Sequence, residues 1–366
     1  MTAEQPPSRT LPERPAISHP EAFSPAALAE LRRNQPARGL IGLAFVLPLT
    51  ALLSLAAGGP AHSLIVLGPV ITFGLPFVSA IAFWWEDWPG SLLPRPWSGL
   101  YDTLIIAVGG VLMTMLGQVI VNGPDLVDVF APGPGHVSAF PDTLPLGGGV
   151  FTIILQFTLV WERWPLRGLG RIRSGLAAIA LAWLLGLAAW LLGTHALAIA
   201  ADHYGAWLVS IGLWQVICYI ALRGWPFVRI QRRAVRLLVG NVGVIGVGWL
   251  TYLVCVRAIG LSSITTIAVT GTGVGSFLLI VMLFEAWPAV RFFERPGPGM
   301  SLVVAAGVAV TALLLWLLPL LAGAFGLSGV DRLGWTAQVT LNALSTAVIL
   351  HVAVWGRWPV RNRPPA

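Results

Sequence analysis

The stretch Trp85-Glu86-Asp87-Trp88-Pro89 closes a long apolar run, and four later runs close in a similar way. The later copies are Trp161-Glu162-Arg163-Trp164-Pro165, Leu222-Arg223-Gly224-Trp225-Pro226, Phe284-Glu285-Ala286-Trp287-Pro288 and Trp355-Gly356-Arg357-Trp358-Pro359. We call each of these stretches a Trp-Pro motif. Successive motifs lie 61 to 76 residues apart. This distance leaves room for two membrane-spanning helices of about 20 residues each.

The composition of the chain is that of a membrane protein. Hydrophobic residues make up 56% of the sequence and charged residues only 10%, whereas a soluble domain carries about 25% charged residues. All 22 basic residues are arginine, which suggests a GC-rich, bacterial genome. Because the chain has no lysine, Schiff-base chemistry with retinal or pyridoxal phosphate is excluded.

The apolar runs predict an all-α, polytopic bundle of ten transmembrane helices. The ten predicted spans cover residues 40–57, 63–85, 103–121, 146–161, 175–192, 205–222, 237–256, 264–284, 301–321 and 335–355. The predicted membrane domain therefore covers residues 40–356, between an N-terminal tail (1–39) and a C-terminal tail (357–366). Ser24 and Pro25 are typical of a helix start, so residues 25–34 are predicted to form a short interfacial helix, with a disordered tail as the alternative.

The arginines predict the orientation of these spans. If every span crosses the membrane, all arginines except Arg257 and Arg332 lie on the side of the Trp-Pro motifs. The positive-inside rule then places both termini and all motifs in the cytoplasm. The expected location is the cytoplasmic (inner) membrane of a bacterium, with anionic lipids at the arginine-rich loops as partners.

The Trp-Pro motifs themselves suit the membrane boundary. Tryptophan prefers the headgroup level, and proline fits where a helix ends. The second tryptophans are therefore predicted interface anchors: Trp88, Trp164, Trp225, Trp287 and Trp358. An alternative is that the five motifs surround a cytoplasmic binding surface. The order of spans further predicts five two-helix hairpin units, each closing with a cytoplasmic motif, by duplication or by independent selection of interface residues.

Inside the predicted spans the polar groups are neutral. None of the spans contains Asp, Glu or Arg, which argues against ion pumps and carboxylate-driven antiporters. Buried amides and hydroxyls require hydrogen-bond partners, so they either join helices or line a path for a neutral solute. The candidates for such a path are Gln156, Gln215, Asn241, Thr270, Thr272, Gln338 and Asn342.

Small residues predict where helices approach closely. Gly240, Gly243, Gly246 and Gly248 line the seventh span, and Gly271 and Gly275 have small-xxx-small spacing on the eighth. One interpretation is that these two helices pack against each other. The eighth span is also rich in hydroxyls, including Ser276, so the seventh and eighth spans together are the predicted polar interior.

No pattern points to a cofactor, a metal or a catalytic site. Cys218 and Cys255 are isolated, and His351 has no histidine partner at a similar depth for a haem. His136, His195 and His203 match no strong metal motif, and the longest external loop (122–143) is predicted to be a solvated connection or a docking loop.

Two functions therefore follow from the sequence. The first is a permease- or channel-like protein for a small neutral or amphipathic solute. The second is a non-catalytic scaffold or subunit of a membrane complex. A membrane enzyme ranks third, because no catalytic dyad is present.

Overall fold

The computed structural model describes residues 34–127, 129–131, 136–287, 289 and 296–360. The predicted interfacial helix at 25–34 and the end of the C-terminal tail lie almost wholly outside these residues. The described part is helical and contains no β-strand. Its long helices are α1 (Ala37–Leu55), α2 (Pro60–Trp84), α3 (Trp97–Asn122), α4 (Leu144–Val160), α5 (Arg171–Ala196), α6 (Ala201–Ala221), α7 (Arg233–Ala258), α8 (Ser263–Leu283), α9 (Pro296–Ala324) and α10 (Gly329–Val354).

Nine helices of the described chain are long and apolar enough to cross a membrane, which indicates a multi-pass membrane protein. The exception is α4, whose 17 residues span only about 25 Å at 1.5 Å per residue. The sequence predicts a full span at this position, so α4 is shorter than expected. The segment before α4 is packed against protein, because Ala139 and Thr143 are fully buried and the Ala139 N–H donates to Val129 O at 2.8 Å.

Even-numbered helices form the inside of the bundle. The buried share of the candidate spans is 61–78% in α2, α6, α8 and α10, but only 17–33% in the odd-numbered helices. Each even helix packs against the next even helix: α2 on α4, α4 on α6, α6 on α8, α8 on α10, and α10 on α2. The five even helices therefore form a closed inner ring.

Close backbone approaches hold neighbouring helices of this ring together. A Cβ placed on Gly275 of α8 would lie 2.5 Å from Thr340 O of α10, so only glycine fits there. At the α10–α2 contact, Gln338 Oε1 lies 3.5 Å from the Cβ position of Gly68. This contact joins the last inner helix to the first and closes the ring.

Each odd helix packs outside the ring, mainly on one even helix. The pairs are α2 with α3, α4 with α5, α6 with α7, α8 with α9, and α10 with α1. The first four pairs are joined by a Trp-Pro motif rather than by the loop on the opposite side. We call each such pair a packing unit. A packing unit consists of the second helix of one predicted hairpin and the first helix of the next, and α1 pairs with α10 in the last unit.

The five Trp-Pro motifs share one backbone turn. Each inner helix ends in a widened π-helical turn, in which the N–H of the first motif residue donates to the carbonyl five residues earlier at 2.7–3.3 Å. The next two residues are left-handed in every copy, with φ between 50° and 83°. Eight of these ten residues are not glycine, although this conformation costs about 1–2 kcal/mol per residue. The motif is therefore a chain reversal at the end of each inner helix.

In three of the motifs the first residue packs on an outer helix, and the helix it reaches is offset by the same step. Trp85 of α2 donates its indole N–H to Ile172 O of α5 at 3.1 Å. Trp355 of α10 donates in the same way to Thr103 Oγ1 of α3 at 2.9 Å. Phe284 of α8 lies against Gly39 of α1. Each of these contacts ties one packing unit to the next around the ring.

Candidate functional site

Three predicted path residues form one hydrogen-bonded chain. Gln215 Nε2 of α6 donates to Gln156 Oε1 of α4 at 2.6 Å and to Thr152 O at 3.0 Å. Gln156 Nε2 then donates to Asn241 Oδ1 of α7 at 2.9 Å. Asn241 also accepts the indole N–H of Trp161 at 2.6 Å. This chain runs outward from the ring and joins three helices.

Two more predicted path residues pair within α10. Asn342 Nδ2 donates to Gln338 Oε1 at 2.7 Å, and both side chains are buried. The Nε2 group of Gln338 has no hydrogen-bond partner among the described residues. At the contact between α10 and α2, the carbonyl oxygen of Gln338 therefore accepts a hydrogen bond, whereas its amino group donates none within the described structure.

The predicted threonines lie on α8, which packs against α10. Thr270 donates to Thr266 O of its own helix at 2.7 Å, and Thr272 lies 3.2 Å from the Thr340 hydroxyl of α10. Thr272 therefore joins α8 to α10, whereas Thr270 bonds within its own helix. Neither is hydrogen-bonded to the amide chain of α4, α6 and α7, so the predicted path residues fall into separate groups.

The glycine-lined helices have other partners than the sequence interpretation suggested. A Cβ on Gly240 or Gly248 of α7 would meet side chains of α6, whereas Gly271 and Gly275 of α8 face α10. The interpretation that α7 packs on α8 is therefore wrong. Glycine spacing marks a close-packing face but does not identify the partner helix.

The axis of the ring contains open space beside Gly212 of α6. Gly212 is buried, yet no atom lies within 4 Å of the position that its Cβ would occupy. Successive residues of a helix are rotated by about 100° around its axis. Viewed along α6, Leu213 therefore lies 100° to one side of Gly212 and contacts α8, and Gln215 lies about 60° to the other side and contacts α4. Gly212 therefore faces the sector between these two inner neighbours, which is the ring axis.

Ser276 of α8 faces the same axis. It lies about 100° from Gly275, which contacts α10, and about 60° from Gly273, which contacts α6. The next residue, Phe277, contacts Gly307 of the outer helix α9. Ser276 is fully buried and its hydroxyl has no hydrogen-bond partner among the described residues.

Unpartnered polar atoms recur at the depth of Ser276. Gln215 Oε1 and Thr346 Oγ1 are also buried without partners in the described structure. Counted back from the second tryptophan of each motif, Gln215, Ser276 and Thr346 lie ten, eleven and twelve residues away. At 1.5 Å per residue these positions share one level, about 15–18 Å from the motifs, which is about half the length of a 30 Å span. Gly212 and Ser276 face the axis, and Gln215 and Thr346 are grouped with them because their unpartnered atoms lie at the same level. We call these four residues the axial site.

The second tryptophans of the motifs lie at the rim of the bundle. Trp164, Trp225 and Trp358 are 37–47% exposed, and Trp88 is half-buried. Trp287 is also half-buried, but its indole N–H is buried without a partner among the described residues. These positions are compatible with interface anchoring for four of the five.

A buried ionic cluster joins α1, α8 and α10 at the motif side. The Glu285 carboxylate accepts from Gln35 at 2.8 Å, Arg38 at 3.2 Å and Arg357 at 3.0 Å. Arg357 also donates to the carbonyls of Leu283, at 3.1 Å, and Met282. Burial lowers the pKa of the Arg357 guanidinium to about 10, so it stays charged at neutral pH.

Sequence analysis did not identify this cluster, because its members are far apart in the chain. A second motif contains a related contact. Arg163 donates to Phe83 O of the neighbouring inner helix at 3.0 Å and lies 3.9 Å from Glu86. Phe83 and Glu86 hold the same places in the first motif unit as Met282 and Glu285 in the fourth. An arginine one residue before the second tryptophan thus caps the end of the adjacent inner helix.

Asp102 is a buried carboxylate that the predicted spans excluded by one residue. Helix α3 begins at Trp97, so Asp102 lies inside the helix and is fully buried. Its Oδ1 accepts the Gly90 N–H at 2.9 Å, which fixes the turn after the first motif. We assign it a structural role in that turn.

The polar groups at the other end of the bundle occur in pairs. Tyr252 and His203 share a 2.9 Å hydrogen bond, and Ser263 donates to Asp202. Within the described residues no group of three or more His, Cys, Asp or Glu side chains is placed to hold a metal ion. His351, buried near the motif side, stacks on Phe45 of α1 at 5.5 Å.

Comparisons with known proteins returned no relative from which an activity could be carried over. No family model matches the chain, and no curated protein or solved structure matches it either. The function must therefore be argued from the fold and from the axial site.

Proposed function

We propose that this chain is a permease- or channel-like membrane protein that moves a small neutral or amphipathic solute along the axis of the inner ring. The observation that carries the proposal is the open space beside Gly212. A glycine that is buried at mid-helix without a neighbouring atom leaves a gap in a bundle whose other contacts are tight. Protein interiors are normally close-packed, so such a gap on the axis calls for an occupant.

The chemistry around this gap favours a neutral solute. Gln215, Ser276 and Thr346 supply hydrogen-bonding atoms without charge. A buried polar group without a partner costs about 1–3 kcal/mol, and in a bilayer no lipid headgroup reaches mid-depth to offset that cost. Passing water or solute molecules would satisfy these atoms in turn.

Solute flux into proteoliposomes tests the proposal. We expect the purified protein to accelerate the entry of at least one small neutral solute, followed by stopped-flow light scattering. Gly212→Leu should abolish this flux, because no atom lies within 4 Å of the Cβ position and the larger side chain would occupy the gap. Gly246→Leu is the matched control, since Gly246 is an exposed mid-helix glycine of the outer helix α7 and also lacks neighbours. Equal flux in both variants would refute an axial path.

A non-catalytic scaffold is the second candidate function. It is favoured by the amide chain of Gln156, Gln215 and Asn241, whose hydrogen bonds join helices in the manner of structural cross-links. A scaffold predicts no flux in proteoliposomes and a stable complex with another membrane protein in mild detergent.

The orientation and the lipid partner remain part of the proposal. We propose that the motif side faces the cytoplasm of a bacterium, that the protein resides in its inner membrane, and that anionic lipids contact the arginine-rich turns. Arg171 and Arg173 are exposed at the start of α5, where a lipid headgroup could reach them. Native mass spectrometry of the detergent-solubilised protein should retain anionic lipids in preference to zwitterionic ones.

A further inference from the structure

The axial site also specifies a class of solute. Resting on the function proposed above, we infer that the solute is a small uncharged molecule with both a hydrogen-bond donor and an oxygen acceptor, such as a small amide or polyol. The inference comes from the atoms that lack partners: a carbonyl oxygen on Gln215 and hydroxyls on Ser276 and Thr346.

The Gln215 side chain defines the need for a donor. Its Nε2 group is committed to Gln156 Oε1 and Thr152 O, so the amide orientation is determined by these two acceptors. Its Oε1 atom is then left as an acceptor without a donor. A solute with an N–H or O–H group supplies that donor, whereas an apolar molecule does not.

The hydroxyl of Ser276 defines the need for an acceptor. A serine in a helix commonly donates to the carbonyl four residues earlier, as Thr270, Thr272 and Ser210 do here. Ser276 makes no such bond among the described residues, so its proton is free for an oxygen on the axis. Gln215 and Ser276 lie on α6 and α8, two inner helices that pack against each other, ten and eleven residues before the second tryptophans of their motifs. In the proposed site they are the acceptor and the donor for one small molecule.

The charge of the site excludes ions as the preferred class. All the ion pairs of the described chain lie in the loops or near helix ends, away from the level of Ser276. A cation or an anion at mid-membrane would lack a counter-charge there, and uncompensated charge in the bilayer is costly. A neutral solute with complementary dipoles avoids that cost.

The test compares the flux of several solutes through the wild type with their flux through a variant that lacks the Ser276 hydroxyl. Proteoliposomes are challenged with gradients of acetamide, urea, glycerol and sodium chloride, using wild type and Ser276→Ala. We expect flux of an amide or a polyol and no salt flux. Loss of one hydrogen bond worth about 0.5–1.5 kcal/mol predicts a roughly two- to tenfold slower flux in Ser276→Ala. Ser301→Ala, on the exposed side of α9, should transport as wild type does.

Folding is monitored in the same samples by thermal unfolding. Because Ser276→Ala removes a hydroxyl that bonds to nothing in the described structure, it should unfold at the same temperature as wild type or higher. Flux that Gly212→Leu blocks but Ser276→Ala leaves unchanged would overturn this inference and keep the proposed function. Salt flux through the wild type would overturn the solute class in the same way. Absence of flux for every solute would overturn both.

Discussion

Removal of the Glu285 charge should loosen the joint between α1, α8 and α10. In Glu285→Gln, Arg38 and Arg357 keep their positive charges but lose the acid between them. Breaking a buried ion pair from one side costs about 3–5 kcal/mol. Because the Glu285 side chain is 17% exposed and the new amide still accepts one hydrogen bond, we expect a loss of about 2 kcal/mol in the free energy of unfolding.

The chain provides a matched control at the same place in another motif. Glu86 also lies two residues before the second tryptophan, but its side chain is 66% exposed and its partner Arg163 is 3.9 Å away. An exposed pair of this kind is worth about 0–1 kcal/mol. Glu86→Gln should therefore change the free energy of unfolding by less than about 0.5 kcal/mol.

The free energies are measured by SDS titration of the protein in mixed micelles, with tryptophan fluorescence as the signal. A double-mutant cycle of Glu285→Gln with Arg38→Gln isolates the pairwise contribution. The reasoning is refuted if Glu285→Gln is no more destabilising than Glu86→Gln. That outcome would mean that the cluster does not hold the first helix to the last.

Three further predictions concern packing, the loop opposite the motifs, and orientation. Gly275→Leu should prevent stable folding, because its Cβ alone would lie 2.5 Å from a carbonyl of α10, whereas Gly246→Leu should be neutral in an unfolding assay. Hydrogen bonds from the Val127 N–H and, secondly, the His136 ring hold the pKa of Asp125 below its usual 3.8. The charged carboxylate therefore stabilises the loop above pH 4. This stabilisation is lost as the pH falls through the lowered pKa. Pepsin should therefore cut the loop faster in Asp125→Asn than in wild type at pH 5, and this difference should shrink as the pH falls through the lowered pKa. Reporter fusions should place all five Trp-Pro motifs on one side of the membrane; a single motif on the other side would contradict the proposed threading.

The helices themselves were largely predictable from the sequence. The eighth span was predicted at 264–284 and is Ser263–Leu283 in the structure. The bounds of such a helix are easy to predict, because the apolar run gives its length and the Trp-Pro motif gives its end. The fourth helix is the exception, because the run at 146–161 was counted as a full span although it is shorter than the roughly 20 residues that a span needs, as α4 itself is.

The arrangement of the helices was not predictable. Lipid-facing and protein-facing surfaces are both apolar in such a chain, so hydrophobic periodicity does not separate inner from outer helices. The left-handed pairs in the motifs, such as Glu86 and Asp87, also lack a sequence signal, because glycine would be the usual residue there.

The candidate site was predicted only in part. Gln215 was identified because an amide in a membrane span is conspicuous, and Ser276 was noted only within a hydroxyl-rich helix. Gly212 carried no signal, since a glycine reveals neither the direction it faces nor the space beside it. The axis became visible only when the contacts of Leu213 and Gln215 fixed the rotation of α6.

The most direct test of the axial space is the accessibility of a thiol placed at Gly212. In a chain whose native Cys218 and Cys255 are replaced by alanine, Gly212→Cys and Gly246→Cys are exposed in intact proteoliposomes to methyl methanethiosulfonate, a small uncharged thiol reagent. The remaining free thiols are then labelled after denaturation. We expect the reagent to block the cysteine at position 212, on the ring axis, and to leave the one at position 246, on the outer surface, free to be labelled, because only the thiolate reacts and a thiol in contact with lipid stays protonated. Full labelling at position 212 would contradict a water-accessible axis.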